Sequence, residues 1–113
     1  MLYMTAPDRR TALRIAAALL EARLIACANV WEASSLYRWK GRTLRAREAV
    51  AVMKTTDRRV RAAIQEAKRL HPDQVPCIVA YRMTTGHQPY LAWLASETRE
   101  NALTSRTRRR ARP

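Results

Sequence analysis

Few side chains in this sequence have the chemistry of a ligand or a catalyst. His71 is the strongest candidate ligand, because it follows the end of a predicted helix, where the dipole favours a cation and the ring can be exposed. Cys27 and Cys77 lie far apart, and each lies in an apolar run where a thiol packs as a small hydrophobic group. Lys54, at the end of a predicted strand, either binds an anion or pairs with a carboxylate such as Glu48.

No set of residues in the chain predicts a catalytic site. An enzyme of this kind needs at least a nucleophile beside a base, and the sequence offers neither a Ser/His/Asp order nor paired zinc ligands. A Gly-rich phosphate loop is excluded too, because Gly41 and Gly86 are the only glycines. We therefore predict no catalytic residue and no certain cofactor, and an unidentified reaction stays an open alternative.

The charge balance is strongly basic. The 113 residues carry a formal net charge of +13 at pH 7, but five arginines lie in the last eight residues, and removing them leaves +8. The other basic residues are spread over predicted helices and a hairpin, which is typical of a solvated surface. We therefore expect nucleic acid to bind only non-specifically through the basic end, and a dedicated nucleic-acid-binding module is the alternative interpretation.

The sequence shows neither a membrane-spanning segment nor a signal peptide, and the localisation is predicted from this. No run approaches the roughly 20 apolar residues of a membrane span. The N-terminus, Met1 to Met4, lacks the basic region and long apolar stretch of a signal peptide. We expect a soluble, cytoplasmic protein with no membrane partner.

Hydrophobic spacing predicts the first elements that must position these side chains. Residues 2–5 form a short apolar strand, which Pro7 ends. Asp8 caps the following helix, with Thr11 as the alternative cap. The apolar positions of that helix recur at helical spacing at Leu13, Ala16, Ala17, Leu20 and Leu24.

A long hairpin follows this helix. Residues 25–30 predict a buried strand, and residues 34–39 extend it with alternating polar and apolar side chains. Lys40-Gly41 marks the turn, and residues 43–56 form the returning strand. Two strands of this length make a hairpin longer than a small domain needs.

The second half of the chain repeats the pattern. Asp57 caps a second helix, which must stop near His71 because Pro72 disfavours helical geometry in the residue before it. Residues 77–83 predict a fourth strand, and a short final helix begins at Tyr90. We assign residues 1–100 to one domain and residues 101–113 to a basic disordered tail.

The predicted order is βαββαβ with a short C-terminal helix, an α+β fold. Right-handed crossovers place both long helices on one face of a four-stranded antiparallel sheet, which is the ferredoxin-like arrangement. The other face carries apolar residues and has no helix to cover it. Oligomerisation is the expected cover.

Seven short segments with a distinctive composition follow one another along residues 2–97. They are Thr5-Ala6-Pro7-Asp8, Leu24-Ile25-Ala26-Cys27-Ala28-Asn29-Val30, Ser35-Leu36-Tyr37-Arg38-Trp39-Lys40-Gly41, Met53-Lys54-Thr55-Thr56, His71-Pro72, Val75-Pro76 and Tyr90-Leu91-Ala92-Trp93-Leu94. Together they resemble the CutA divalent-cation tolerance family. The resemblance implies a tight homotrimer, with three sheets facing inward and long hairpins reaching onto neighbours. It also implies a role in response to divalent metal ions, copper binding in some members, and a likeness to trimeric signal-transduction proteins of the PII type.

The resemblance further implies candidate metal ligands. The family's copper ligands are a cysteine in the first strand and two adjacent histidines before the proline. These positions hold Met4, Leu70 and His71 here, so only His71 matches. Met4 is a soft thioether that could serve a cuprous ion. Cys77 stands where relatives usually carry a glutamate, and as a thiolate it could act beside His71.

Relatives also hold polar and aromatic residues in clefts between their subunits that look able to accept a small molecule. By resemblance, we predict the corresponding cleft residues here as Lys54, Tyr37, Trp39, Tyr81, Tyr90 and Trp93. For Trp39 and Trp93 a purely structural anchoring role is the alternative.

Overall fold

The computed structural model describes residues 1–100. In chain order the elements are β1 (Leu2–Ala6), α1 (Arg9–Glu21), β2 (Cys27–Trp39), β3 (Arg42–Lys54), α2 (Asp57–Leu70), β4 (Ile78–Ala80) and α3 (Gln88–Glu97). The predicted tail, residues 101–113, lies outside the described residues, so the domain boundary stays a prediction. Among residues 1–100 no helix is both long enough and apolar enough to cross a membrane.

The four strands form one antiparallel sheet in the order β2-β3-β1-β4. This order confirms the predicted ferredoxin-like α+β fold. Alternate residues of β1 and β3 face the two long helices, and Leu2, Met4, Ala51 and Met53 are fully buried against the α1 residue Ile15. The core therefore lies between the sheet and one helical layer.

The opposite face of the sheet is open over much of its area. Cross-strand pairing places Tyr3 beside Val52, and Val50 beside Trp31, on this face. Trp31 is 47% exposed and Val79 of β4 is 44% exposed. Apolar side chains of this size are rarely clustered on a surface that stays in water.

The β2–β3 hairpin extends well beyond the sheet. Its strands pair from Cys27–Lys54 to Trp39–Arg42, whereas β1 reaches β3 only as far as Ala49. Lys40 and Gly41 both have positive φ, 50° and 76°, as a tight two-residue hairpin turn requires. The outer half of the hairpin is therefore a two-stranded ribbon.

The predicted cap of the first helix is confirmed, and the predicted cap of the second helix is wrong. Asp8 caps α1, because its carboxylate accepts the Thr11 backbone N–H at 2.7 Å. Thr56, and not Asp57, is the N-cap of α2, with extended backbone geometry. Asp57 is already helical, and its carboxylate lies 3.3 Å from Arg82.

The fourth strand is shorter than predicted. The spacing predicts residues 77–83, but β4 spans only Ile78–Ala80. Its partner β1 begins at Leu2, opposite Ala80, so the ladder ends there on the C-terminal side of β4. Single backbone bonds extend the contact at each end, from Thr5 N–H to Cys77 O and from Tyr81 N–H to Met1 O.

Candidate functional site

The six predicted cleft residues do not meet within one protomer. Tyr37 and Trp39 lie near the tip of the hairpin, whereas Lys54 lies at the far end of β3. Tyr37 faces Leu44, which is ten residues from Lys54, or about 33 Å along an extended strand. We call Tyr37 and Trp39 the hairpin group.

The hairpin group lines a groove of about 530 Å³. One wall is the outer half of the β2–β3 hairpin, and the other wall is the loop between α2 and β4. The groove combines aromatic surface with the carboxylates of Glu48 and Asp73 and the exposed thiol of Cys77. The prediction that Cys77 packs as a small hydrophobic group is wrong, because the residue lies just before the short β4, at the rim of this groove.

A second set of polar contacts lies at the other end of β3. Lys54 Nζ donates a hydrogen bond to Asn29 Oδ1 at 2.6 Å. Glu48 is not its partner, because the two residues lie six positions apart on one strand, about 20 Å. Cys27 is the cross-strand partner of Lys54, so thiol and amine belong to the same end of the hairpin.

Helix α3 brings its aromatic residues to this end. The Tyr90 hydroxyl lies 3.4 Å from Cys27 Sγ, and the Tyr90 and Trp93 rings are 5.6 Å apart. The hydrogen bond to Cys27, with some desolvation, raises the pKa of Tyr90 to about 12. We call Lys54, Tyr90 and Trp93 the strand-end group. Tyr81 follows β4 at the same end of the sheet as Lys54, because Leu2 pairs with both Met53 and Ala80, but β1 lies between β4 and β3.

His71 does not have the exposed ring that its position predicts. Its side chain is fully buried, because it lies between the end of β1 and the loop that follows α2. Nδ1 accepts the Asp73 backbone N–H at 3.1 Å, so Nε2 carries the proton and donates to Thr5 O at 2.7 Å. Both nitrogens of the neutral ring are therefore occupied, and neither is free for a metal in this conformation.

The other two candidate metal ligands, Met4 and Cys77, differ from His71 and from each other in their surroundings. Met4 is fully buried in the core, with Ala51 and Ile78 as cross-strand neighbours. Cys77 is exposed at the groove. Within residues 1–100, no three His, Cys, Asp or Glu side chains are grouped so that they could hold a metal ion.

Sequence reasoning missed two polar residues of these sites. Asn29 is the one strongly polar side chain in an apolar run, and that interruption was the available signal. Asp73 carried no such signal, because its place at the groove depends on how the loop after Pro72 folds back along the hairpin.

Comparison with known proteins decides the family. The family model described as CutA1 divalent ion tolerance protein matches residues 1–97. The chain belongs to this family. The match confirms the resemblance carried by the short segments of the sequence.

Individual relatives agree over nearly their whole length. The divalent-cation tolerance protein CutA of Thermotoga maritima is 37% identical over 94 residues, which is 83% of this chain and 93% of the relative. The solved structure of the periplasmic divalent cation tolerance protein CutA from Archaeoglobus fulgidus superposes with a TM-score of 0.85 at 33% identity, covering 87% of this chain and 96% of that one.

A third comparison bears on the fold type. The structure described as PII-like protein CutA from a Nostoc species, in apo form, matches with a TM-score of 0.82 at 26% identity. It covers 87% of this chain and 95% of that chain.

Proposed function

We propose that this protein is a homotrimer that acts in the tolerance of divalent metal ions and binds a small ligand or metal ion in clefts between protomers. Membership of the CutA1 family supports the link to divalent ions. The uncovered sheet face supports the assembly, because Trp31 and Val79 are nearly half exposed in one chain and a neighbouring sheet would bury them.

The distance between the hairpin group and the strand-end group is the main support for a cleft between protomers. The hairpin group and Lys54 are about 33 Å apart along one chain. Both lie on the uncovered face, as the strand register requires. A ribbon that leaves its own sheet is long enough to lie against a neighbour and bring Tyr37 and Trp39 to that neighbour's strand-end group.

The side chains of such a cleft define the ligand class. The strand-end group offers an ammonium, a phenol and, from Asn29, an amide. The hairpin contributes flat aromatic surface. A small molecule with an anionic group and an apolar body matches this combination.

A directly bound copper ion has one accessible ligand among the predicted three. Cys77 is exposed in the groove with Glu48 and Asp73, whereas Met4 and His71 would have to leave packed, hydrogen-bonded positions. A thiolate suits a cuprous ion. We therefore assign any copper binding to Cys77 first.

Calorimetric titration tests this assignment. Copper added to wild type and to Cys77→Ser gives a smaller heat for the variant, while Cys27→Ser, the matched thiol control, behaves as wild type. Equal heats for Cys77→Ser and wild type would remove Cys77 as a ligand.

Cross-linking tests the cleft between protomers. A benzophenone amino acid replaces Tyr37, and protein grown with light and heavy nitrogen is mixed through unfolding and refolding. We expect mixed-isotope cross-links from the hairpin to residues 27–31 or 88–97. Cross-links confined to a single isotope would contradict the shared cleft.

A signalling role and a cytoplasmic location belong to the same proposal. The likeness to a protein described as PII-like supports the first. Two free cysteines, Cys27 and Cys77, are consistent with a reducing compartment, although the Archaeoglobus relative is described as periplasmic. Separating cytoplasmic and periplasmic fractions of the source cell, with detection of the protein in each, tests the location.

A further inference from the structure

Three arginines lie along one face of the protruding hairpin. In the strand register, Arg47 pairs with Ser34, Arg45 with Leu36, and Arg38 with Thr43. Alternation within each strand places all three arginines on the same face, the one that faces the helices further down the sheet. All three are exposed. We call Arg38, Arg45 and Arg47 the arginine ribbon.

The arginine ribbon has no partner within residues 1–100. The ion pairs among these residues involve Arg23, Arg69, Arg82 and His71, and none involves the ribbon. Glu32 lies on the same face, one step towards the sheet, but forms no ion pair with Arg47 there.

The acidic side chains of residues 1–100 do not form a row that matches the arginine ribbon. Four carboxylates are engaged locally: Asp8 caps a helix, Glu66 pairs with Arg69, Asp57 with Arg82 and Glu97 with Arg23. Glu48 and Asp73 line the groove on the other side of the hairpin, so a second copy offers a pair of carboxylates there. An external polyanion, with charges repeated along its length, fits three arginines better.

The spacing of the ribbon favours a chain of charges over a single anion. Neighbouring positions on one face of a strand are about 7 Å apart, so the three arginines span about 13 Å. A phosphodiester chain can contact all three without drawing the guanidinium groups together around one phosphate. Like charges that lie close together repel one another, so a bound polyanion removes a repulsion that the free protein carries.

The surface between the arginines suits a backbone contact. A shallow groove of about 450 Å³ is lined by Ser34, Leu36, Arg45 and Arg47 from this face, and by Ser35 and Ala46 from the other face of the hairpin. Serine hydroxyls and arginine guanidinium groups are common donors to phosphate oxygens. Tyr37 and Trp39 lie on the other face of the hairpin, so the contact would be to phosphates and not by base stacking.

We propose that the arginine ribbon binds the phosphate backbone of single-stranded nucleic acid without sequence preference. This inference does not depend on the proposed metal-ion function, because it uses the opposite face of the hairpin. The proposed site is also distinct from the C-terminal arginines, and the non-specific binding expected of those arginines stays as stated.

The salt dependence of binding to a labelled uridine oligonucleotide tests the proposal on the full chain. We compare wild type with R38Q/R45Q/R47Q and with R10Q/R58Q/R61Q, a control that removes the same charge from exposed helix positions. Each lost contact to single-stranded nucleic acid lowers the slope of log K against log salt by about 0.7, so the ribbon variant loses about 2. Between about 50 and 200 mM salt, wild-type affinity should therefore fall about 20-fold more than that of the ribbon variant.

Further variants keep the test decisive. R38K/R45K/R47K retains the charge and should retain the slope, and each single Arg→Gln change should remove about 0.7. Equal slope losses in the ribbon variant and the helix control would overturn the proposal. So would an unchanged slope in a ribbon variant whose molar mass differs from that of wild type, because that result would make the ribbon a contact between protomers.

Discussion

Replacing His71 by leucine should destabilise the protein without changing its binding of copper. The imidazole is fully buried and makes two hydrogen bonds, to Thr5 O at 2.7 Å and from Asp73 N–H at 3.1 Å. Leucine fills a similar volume but makes neither bond. The Thr5 carbonyl and the Asp73 N–H, whose bonds to the ring are part-buried, are then left without their partner.

The expected cost follows from those two groups. The unsatisfied Thr5 carbonyl costs about 1–3 kcal/mol, and the lost bond to Asp73, an exposed residue, costs about 1 kcal/mol. The larger apolar surface of leucine returns about 1 kcal/mol. We therefore expect a net loss of about 1–3 kcal/mol. For a domain of about 100 residues this corresponds to a fall in melting temperature of roughly 5–25 °C.

Guanidinium unfolding at a fixed protein concentration measures this loss, since assembly makes stability concentration-dependent. His71→Asn is the matched control, because its amide oxygen can still accept the Asp73 N–H, and its loss should be smaller. A His71→Leu protein as stable as wild type, but with reduced heat on copper titration, would refute the structural role and restore His71 as a ligand.

The remaining predictions concern the other titratable and candidate residues. Cys27→Ala should bring the pKa of Tyr90 from about 12 back towards its ordinary value, because the phenol loses its hydrogen bond; ultraviolet phenolate titration measures this with Tyr90→Phe as reference, and an unchanged titration would contradict it. The hydrogen bond from Thr11 N–H holds the pKa of Asp8 below its usual range. The cap therefore stabilises the protein at pH values above the ordinary pKa of an aspartate, and this contribution is lost as the pH falls through the lowered pKa of the folded protein. The melting temperatures of wild type and Asp8→Ala should converge in acid, and a constant difference between them would count against the cap. Met4→Leu should cost less than about 1.5 kcal/mol by guanidinium unfolding and leave the copper heat unchanged, whereas a lost heat would return Met4 to the ligand set.

The sheet and its helices could be predicted because local signals agreed with the packing. The Asp8 cap and the Lys40-Gly41 turn each act over a few residues, and both are found in the structure. The helix itself forms as predicted, but its predicted apolar stripe is wrong in part, because Leu13 and Leu20 are exposed and Ala12, Ile15 and Leu19 are buried instead. The limits of β4 could not be predicted in the same way. They depend on the pairing of β4 with β1, which lies more than 70 residues earlier in the chain.

The candidate site was harder to predict because it depends on contacts distant in sequence. The position of His71 after a helix predicts exposure, but burial is decided by where Thr5 and Asp73 lie. Cys77 was expected in the core for its apolar neighbours, yet it lies at a strand end beside a groove. Resemblance to a family names residues, but it does not show which of them share a protomer.

Light scattering during size-exclusion chromatography tests the central claim, that the open sheet face joins copies of this chain, most directly. We predict a molar mass three times the 13.0 kDa of one chain at micromolar concentration, and dissociation when Trp31 on the open face is replaced by arginine. A wild-type protein that elutes with the mass of a single chain would contradict the trimer and, with it, the cleft between protomers.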